Sequence, residues 1–81
     1  MENLLWFECI MESGHNIKGV SRVEAPRIKH TLEKCGKRED IIKIGKYQIA
    51  TEEQIKIVSI EYGTDDIKKF MEENTVDICC I

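Results

Sequence analysis

One proline and five glycines in 81 residues leave little room for disordered or low-complexity segments, so the chain is expected to fold almost end to end. No apolar run approaches the roughly 20 residues that a membrane span needs. The opening Met1-Glu2-Asn3-Leu4 lacks the basic head of a secretory signal. Together these predict a soluble, cytoplasmic protein that does not enter a membrane. Nucleotide-binding loops of the G-x-x-x-x-G-K-[ST] and G-x-G-x-x-G types are missing, as are the G-x-S-x-G elbow and the H-E-x-x-H zinc helix. The absence of a complete catalytic set predicts a protein that is not an enzyme and carries no cofactor. Four cysteines are present, but no C-x-x-C or H-x-x-x-H pair offers two metal ligands from one turn. No metal site is therefore expected, and without a secreted context the cysteines are expected to be reduced. Ile78 stands where a prenylation box would need cysteine.

What remains is an ordinary globular composition, 42% apolar and 33% charged. It fits a single α+β domain over residues 1–81. A domain of this size buries roughly 60% of the surface of its unfolded chain, which leaves its stability marginal. Leu4 to Glu12 alternates Leu5, Phe7, Cys9 and Met11 against Trp6, Glu8, Ile10 and Glu12, the period of a strand. Ser13-Gly14-His15-Asn16 interrupts it. Ile28, Leu32 and Cys35 recur at helical spacing before Gly36, a residue suited to a left-handed cap. That helix starts at Pro26 or is bent there, because proline past the first turn lacks its N–H and crowds the preceding turn. Ile41 to Ala50 and Ile55 to Tyr62 are rich in β-branched residues and predict two strands, with Thr51-Glu52-Glu53-Gln54 as their turn. A helix follows, with Thr64 as cap, Asp65 and Asp66 at its positive end, Ile67, Phe70 and Met71 on one face, and Asn74 as terminator. Thr75 to Ile81 reads as a closing strand.

The resulting order, βαββαβ, is that of ferredoxin-like domains: a two-layer sandwich with both helices on one face of an antiparallel sheet. The alternative is an α+β domain with an additional hairpin or a three-stranded meander. It applies if Gly45-Lys46 forms a two-residue turn or if Asn16 to Val20 is a strand. A ferredoxin-like order hosts many unrelated functions, so function has to be sought in particular surfaces.

Three surfaces stand out. In the two-layer arrangement the second sheet face carries Trp6, Ile10, Ile55, Ile57, Cys79 and Ile81. An apolar patch of that extent marks a homo-oligomer or a protein partner site. The closing strand, lying at a sheet edge with only Asp77 to deter pairing, offers a second route to self-association. Second, residues 16–38 hold seven basic side chains against two acidic, although the whole chain has net charge −3. Arg27, His30, Lys34, Lys37 and Arg38 fall near one side of the first helix, a basic face that could meet an acidic partner or nucleic acid. The overall acidity and the missing glycine-aromatic pattern of RNA-binding sheets make nucleic acid the less favoured partner. Third, the segment Gly14 to Arg22 resembles the phosphate-cradling loop of acylphosphatases over about nine residues, through Gly14, Gly19, Val20 and Arg22. The arginine does not follow an aromatic residue and the second strand supplies no asparagine to position water. The resemblance thus implies anion binding through Gly14, His15, Lys18, Gly19 and Arg22 rather than hydrolysis. The sequence favours a small interaction module that regulates, inhibits or adapts another protein. The alternatives are an anion- or nucleotide-binding domain and a nucleic-acid-binding domain.

Overall fold

A computed structural model describes residues 3–24, 26–28, 30–31 and 41–81, with 41–44 as main chain. Strand β1 (Leu5–Met11) turns at residues 12–15 into β2 (Asn16–Ser21). Gly14, at φ +90, takes the left-handed conformation that glycine adopts without penalty. A helical segment, α1, is described at residues 26–28 and 30–31. Then come β3 (Ile41–Ile49), α2 (Glu52–Glu61), α3 (Ile67–Glu73) and β4 (Ile78–Cys80). Pro26 is already helical while Glu24 is not, so proline occupies the start of α1, where its missing N–H costs least. The expected end of α1 near Cys35 and Gly36 lies outside the described residues.

The four strands form one antiparallel sheet in the order β3-β1-β2-β4. This corrects the ferredoxin-like arrangement and meets one condition of the alternative, since Asn16–Ser21 pairs with β1 as a hairpin. Once a short turn places β2 on one side of β1, only the other side is open to β3. Gly45-Lys46 does not turn the chain. Glu8 pairs with Lys46 and Cys9 with Ile44, so Gly45 is the extra residue of a β-bulge inside a continuous strand. Gly19 answers a second constraint, because a Cβ there would overlap the Cys79 carbonyl oxygen.

Ile55 to Tyr62 is helix, not strand. Thr51 Oγ1 accepts from Gln54 N at 3.2 Å, and Gln54 Oε1 accepts from Thr51 N at 3.0 Å. This reciprocal capping box satisfies two donors that a helix start otherwise leaves open. Ile55, Val58, Ser59 and Tyr62 then fall at i, i+3, i+4 and i+7, the stripe of a core-facing helix. Ser59 is the polar member of that stripe and is buried. Its hydroxyl donates to Ile55 O at 2.8 Å and accepts from Ile67 N at 3.2 Å, joining α2 to the start of α3. Asp66 caps α3 by accepting from Lys69 N at 3.2 Å, while Thr64 accepts from Asp66 N at 3.3 Å, two residues short of the capping role its position suggested. Asn74 ends α3, and Val76 N donates back to Met71 O at 2.9 Å across Thr75, at φ 55, the geometry of a Schellman turn.

A core covers each face of the sheet over β1, β2 and β4. Phe7, Cys9, Met11 and Ile17 pack with Val23 and with Ile28 of α1 on one face, joined by Ile78 and Cys80. Leu4, Trp6, Val20 and Cys79 pack with Val58, Ile67 and Met71 of α2 and α3 on the other. Adjacent cysteines 79 and 80 thus enter different cores, as alternation along a strand requires. The face expected to lie open is covered at Trp6 and Cys79, because α2 stands where the third strand was expected.

If the capping box anchors α2, Thr51→Ala should lower stability by about 1 kcal/mol in urea denaturation without changing the fold. Unchanged stability would mean that the box contributes nothing to holding α2.

Candidate functional site

In an antiparallel ladder, residues alternate between directing both main-chain groups at the partner strand and directing both away from it. Ala50 N donates to Leu4 O at 2.9 Å, and Leu5 pairs with Ile49, Trp6 with Gln48, Phe7 with Tyr47 and Glu8 with Lys46. Ala50, Gln48 and Lys46 therefore point their main-chain groups at β1, while Ile49 and Tyr47 point theirs outward. The far side of β1 agrees with this parity: Met11 N donates to His15 O at 3.2 Å, so the odd residues of β1 serve β2 and the even ones serve β3. Among the described residues, no hydrogen bond reaches the outward groups of Tyr47 or Ile49. Their side chains lie on the α1 face of the sheet, opposite Phe7 and Leu5, and are 58% and 62% exposed.

The opposite edge is closed. Ile81 N donates to Lys18 O at 2.7 Å and Arg22 N to Asp77 O at 2.8 Å, so Asp77, Cys79 and Ile81 address β2, and Ile78 and Cys80 point outward. The Tyr62 hydroxyl accepts from Cys80 N at 3.0 Å and donates to Cys80 O at 3.1 Å. A single phenol thus occupies both outward groups of Cys80. Its ring stands 6.0 Å from Phe70, tilted at 59°, an arrangement favourable for aromatic pairs. Burial, with the neighbouring Cys79 thiol second, pushes the Tyr62 phenol above its ordinary range, which preserves the proton it donates. With only three residues in the strand, β4 offers little to an incoming strand, contrary to its expected role as the self-association edge.

The residues expected to form an apolar partner face are dispersed. Trp6, 5% exposed, and Cys79 are buried, and Trp6 donates through Nε1 to Glu8 Oε2 at 3.1 Å. Ile55 is half-buried against the same core. Ile10, Ile57 and Ile81 are exposed. The anion segment is not a loop before a helix: Gly14 and His15 lie in the β1–β2 turn, Lys18 and Gly19 on β2, and Arg22 just beyond it. Adjacent Lys18 and Gly19 address opposite faces of the strand. The Arg22 guanidinium donates to Met71 O at 2.9 Å and Val76 O at 3.4 Å, so it ties the end of β2 to the last turn of α3, where carbonyls favour a cation. Arg27 and His30 are exposed on α1; Lys34, Lys37 and Arg38 lie outside the described residues.

Among the described residues, chemistry-bearing side chains do not gather into a catalytic or metal-binding set. Cys9, Cys79 and Cys80 are not in disulfides, and burial pushes the Cys9 thiol up to about 11 and raises that of Cys79, leaving both protonated and poorly nucleophilic at neutral pH. Among the described residues, no three His, Cys, Asp or Glu side chains gather as metal ligands, and no helix is long and apolar enough to cross a membrane. An open depression of about 420 Å³ beside α3 is lined by Thr64, Asp65, Asp66, Lys69, Phe70 and Glu73. Asp66 is engaged there as the helix cap, and Lys69 sits 3.8 Å from Glu73. Sequence reasoning missed the β3 edge because it took Ile55 to Tyr62 as the strand beside β3. The signal that would have found it was the capping box Thr51 to Gln54.

Closure of the β4 edge predicts that Tyr62→Phe costs about 1 kcal/mol and accelerates hydrogen exchange at the Cys80 amide. The Cys79 amide, directed at β2, should keep its protection. Equal protection of Cys80 in both proteins would show that the hydroxyl does not close the edge. No family model, curated protein or solved structure matches this chain, so a functional reading has to rest on this geometry.

Proposed function

We propose that the protein is a small non-enzymatic interaction module that regulates, inhibits or adapts another protein, and that it docks by accepting a strand along the outer edge of β3. The observation that carries this reading is the asymmetry of the sheet. One edge is three residues long and capped by Tyr62. The other is nine residues long, with outward main-chain groups and two exposed apolar side chains at Tyr47 and Ile49. Soluble proteins ordinarily protect such an edge with charge, a bulge, proline, a short strand or a cover. Lys46 and the bulge at Gly45 blunt the first half of β3, and among the described residues the stretch from Tyr47 to Ile49 carries none of these devices. In strand addition, main-chain hydrogen bonds supply affinity and alternate side chains supply selectivity. Tyr47 and Ile49 provide both from the same two residues. Lys46, exposed on the strand between them and the bulge, favours a partner with a carboxylate at that level.

The test uses proline, which removes an N–H without disturbing a ladder that does not use it. Tyr47→Pro eliminates an outward donor and should leave pairing with β1 intact, whereas Gln48→Pro breaks that pairing. A protein retained from the native cell by the wild-type chain should be lost with folded Tyr47→Pro. Retention of every such protein by Tyr47→Pro, with the fold confirmed by circular dichroism, would overturn the reading.

A further inference from the structure

We infer that the strand received by β3 is β3 of a second copy of this chain, paired antiparallel about a two-fold axis at Gln48. The inference rests on the reading of β3 as the docking edge and names its occupant.

Main-chain parity selects the register. A two-fold axis at Gln48 sets Tyr47 of each copy opposite Ile49 of the other. Both residues direct their N–H and C=O outward, so each Tyr47–Ile49 pair can exchange both of its bonds. Gln48, which addresses its own β1, falls opposite its counterpart as a non-hydrogen-bonded pair, as alternation demands. The same register places an aromatic ring against a β-branched side chain on the α1 face, a favourable cross-strand combination, and covers two exposed apolar side chains of the strand. An axis at Tyr47 would instead set Ile49 against Gly45 at the bulge, leaving it without a side chain to meet.

Charge supports the same occupant. The regular part of the edge carries Lys46 at its start and is followed, after Ala50 and Thr51, by Glu52 and Glu53 in the first turn of α2. Antiparallel pairing of two identical strands directs the Lys46 end of each toward the acidic first turn of α2 of the other. In the register centred on Gln48, Lys46 stands opposite Ala50. No lysine meets a lysine. The patch is therefore self-complementary, the requirement of an isologous interface, and joins two four-stranded sheets into one that ends on both sides at a β4 edge closed by Tyr62.

Sedimentation equilibrium of the purified full chain at micromolar concentration should give twice 9.4 kDa. Tyr47→Pro should give the single mass with its circular dichroism retained. Gln48→Cys reports independently, because a non-hydrogen-bonded pair holds its Cα atoms at about 4.5 Å, within disulfide reach. Mild oxidation should convert it to a covalent dimer on a non-reducing gel. Wild type treated identically, and Lys46→Cys, should stay largely monomeric on that gel. A wild-type monomer, or a dimer that ignores Tyr47→Pro and gives no Gln48→Cys cross-link, overturns the second copy as occupant. If Tyr47→Pro nevertheless abolishes capture of another protein, the docking edge stands and only its occupant is wrong. If capture is also unaffected, both fail.

Discussion

The direction in which β1 sends its hydrogen bonds governs the rest of the molecule. Its odd residues address β2 and its even residues address β3, while its side chains alternate between two cores. A strand buried on both faces and paired on both sides has no freedom of register, because a slip of one residue would exchange the cores. That rigidity passes outward. Through β2 it fixes which groups of β4 face solvent, and through the pairing of Glu8 with Lys46 and Trp6 with Gln48 it fixes that Tyr47 and Ile49 do. The bulge at Gly45 alters the register beyond Lys46, so the segment from Lys46 to Ala50 is the regular part of the edge.

The helices complete the asymmetry. Helix α2 covers one face of the sheet and brings Tyr62 to the β4 edge, where one hydroxyl takes both outward groups of Cys80. Arg22 draws β2 and the end of α3 together by bonding the carbonyls of Met71 and Val76. Three separated segments thus converge at the β4 side: the end of β2, the α2–α3 pair and the last strand. At the β3 side the described residues bring no comparable group. Two of the residues expected to bind an anion are used in this convergence. Arg22 is a tie between elements, and Gly19 gives β4 room to approach.

Sequence alone revealed β1, β3 and α3, because each shows an uninterrupted pattern: strict alternation in β1, β-branched residues in β3, and acidic residues ahead of Ile67, Phe70 and Met71 in α3. It misplaced α2 because Ile55, Ile57, Val58, Ile60 and Tyr62 favour strand by type, and because buried Ser59 replaces an apolar residue in the helical stripe. Ile57 and Ile60 lie exposed on the outer side of that helix, which blurs the contrast that periodicity depends on. β2 was visible only as an alternative, since Gly19 and Ser21 dilute its apolar face. Ser21 is buried through a local loop in which its hydroxyl donates to Val23 O and accepts from Val23 N, each at 2.9 Å. With α2 taken as a strand, both helices fell on one face and Trp6 was left facing solvent. That single error displaced the candidate site from the edge of the sheet to its face.

The central claim is that β3 presents an unpaired edge at Tyr47 and Ile49 that a second copy fills. Residue-resolved hydrogen exchange over a dilution series tests it most directly, since pairing between copies protects only the outward amides. The account predicts that the Tyr47 and Ile49 amides exchange rapidly at low protein concentration and slowly at high concentration, while the Gln48 amide, bonded to β1, is slow throughout. Protection of Tyr47 and Ile49 that is independent of concentration, or a Gln48 amide that exchanges as fast as its neighbours, would contradict it.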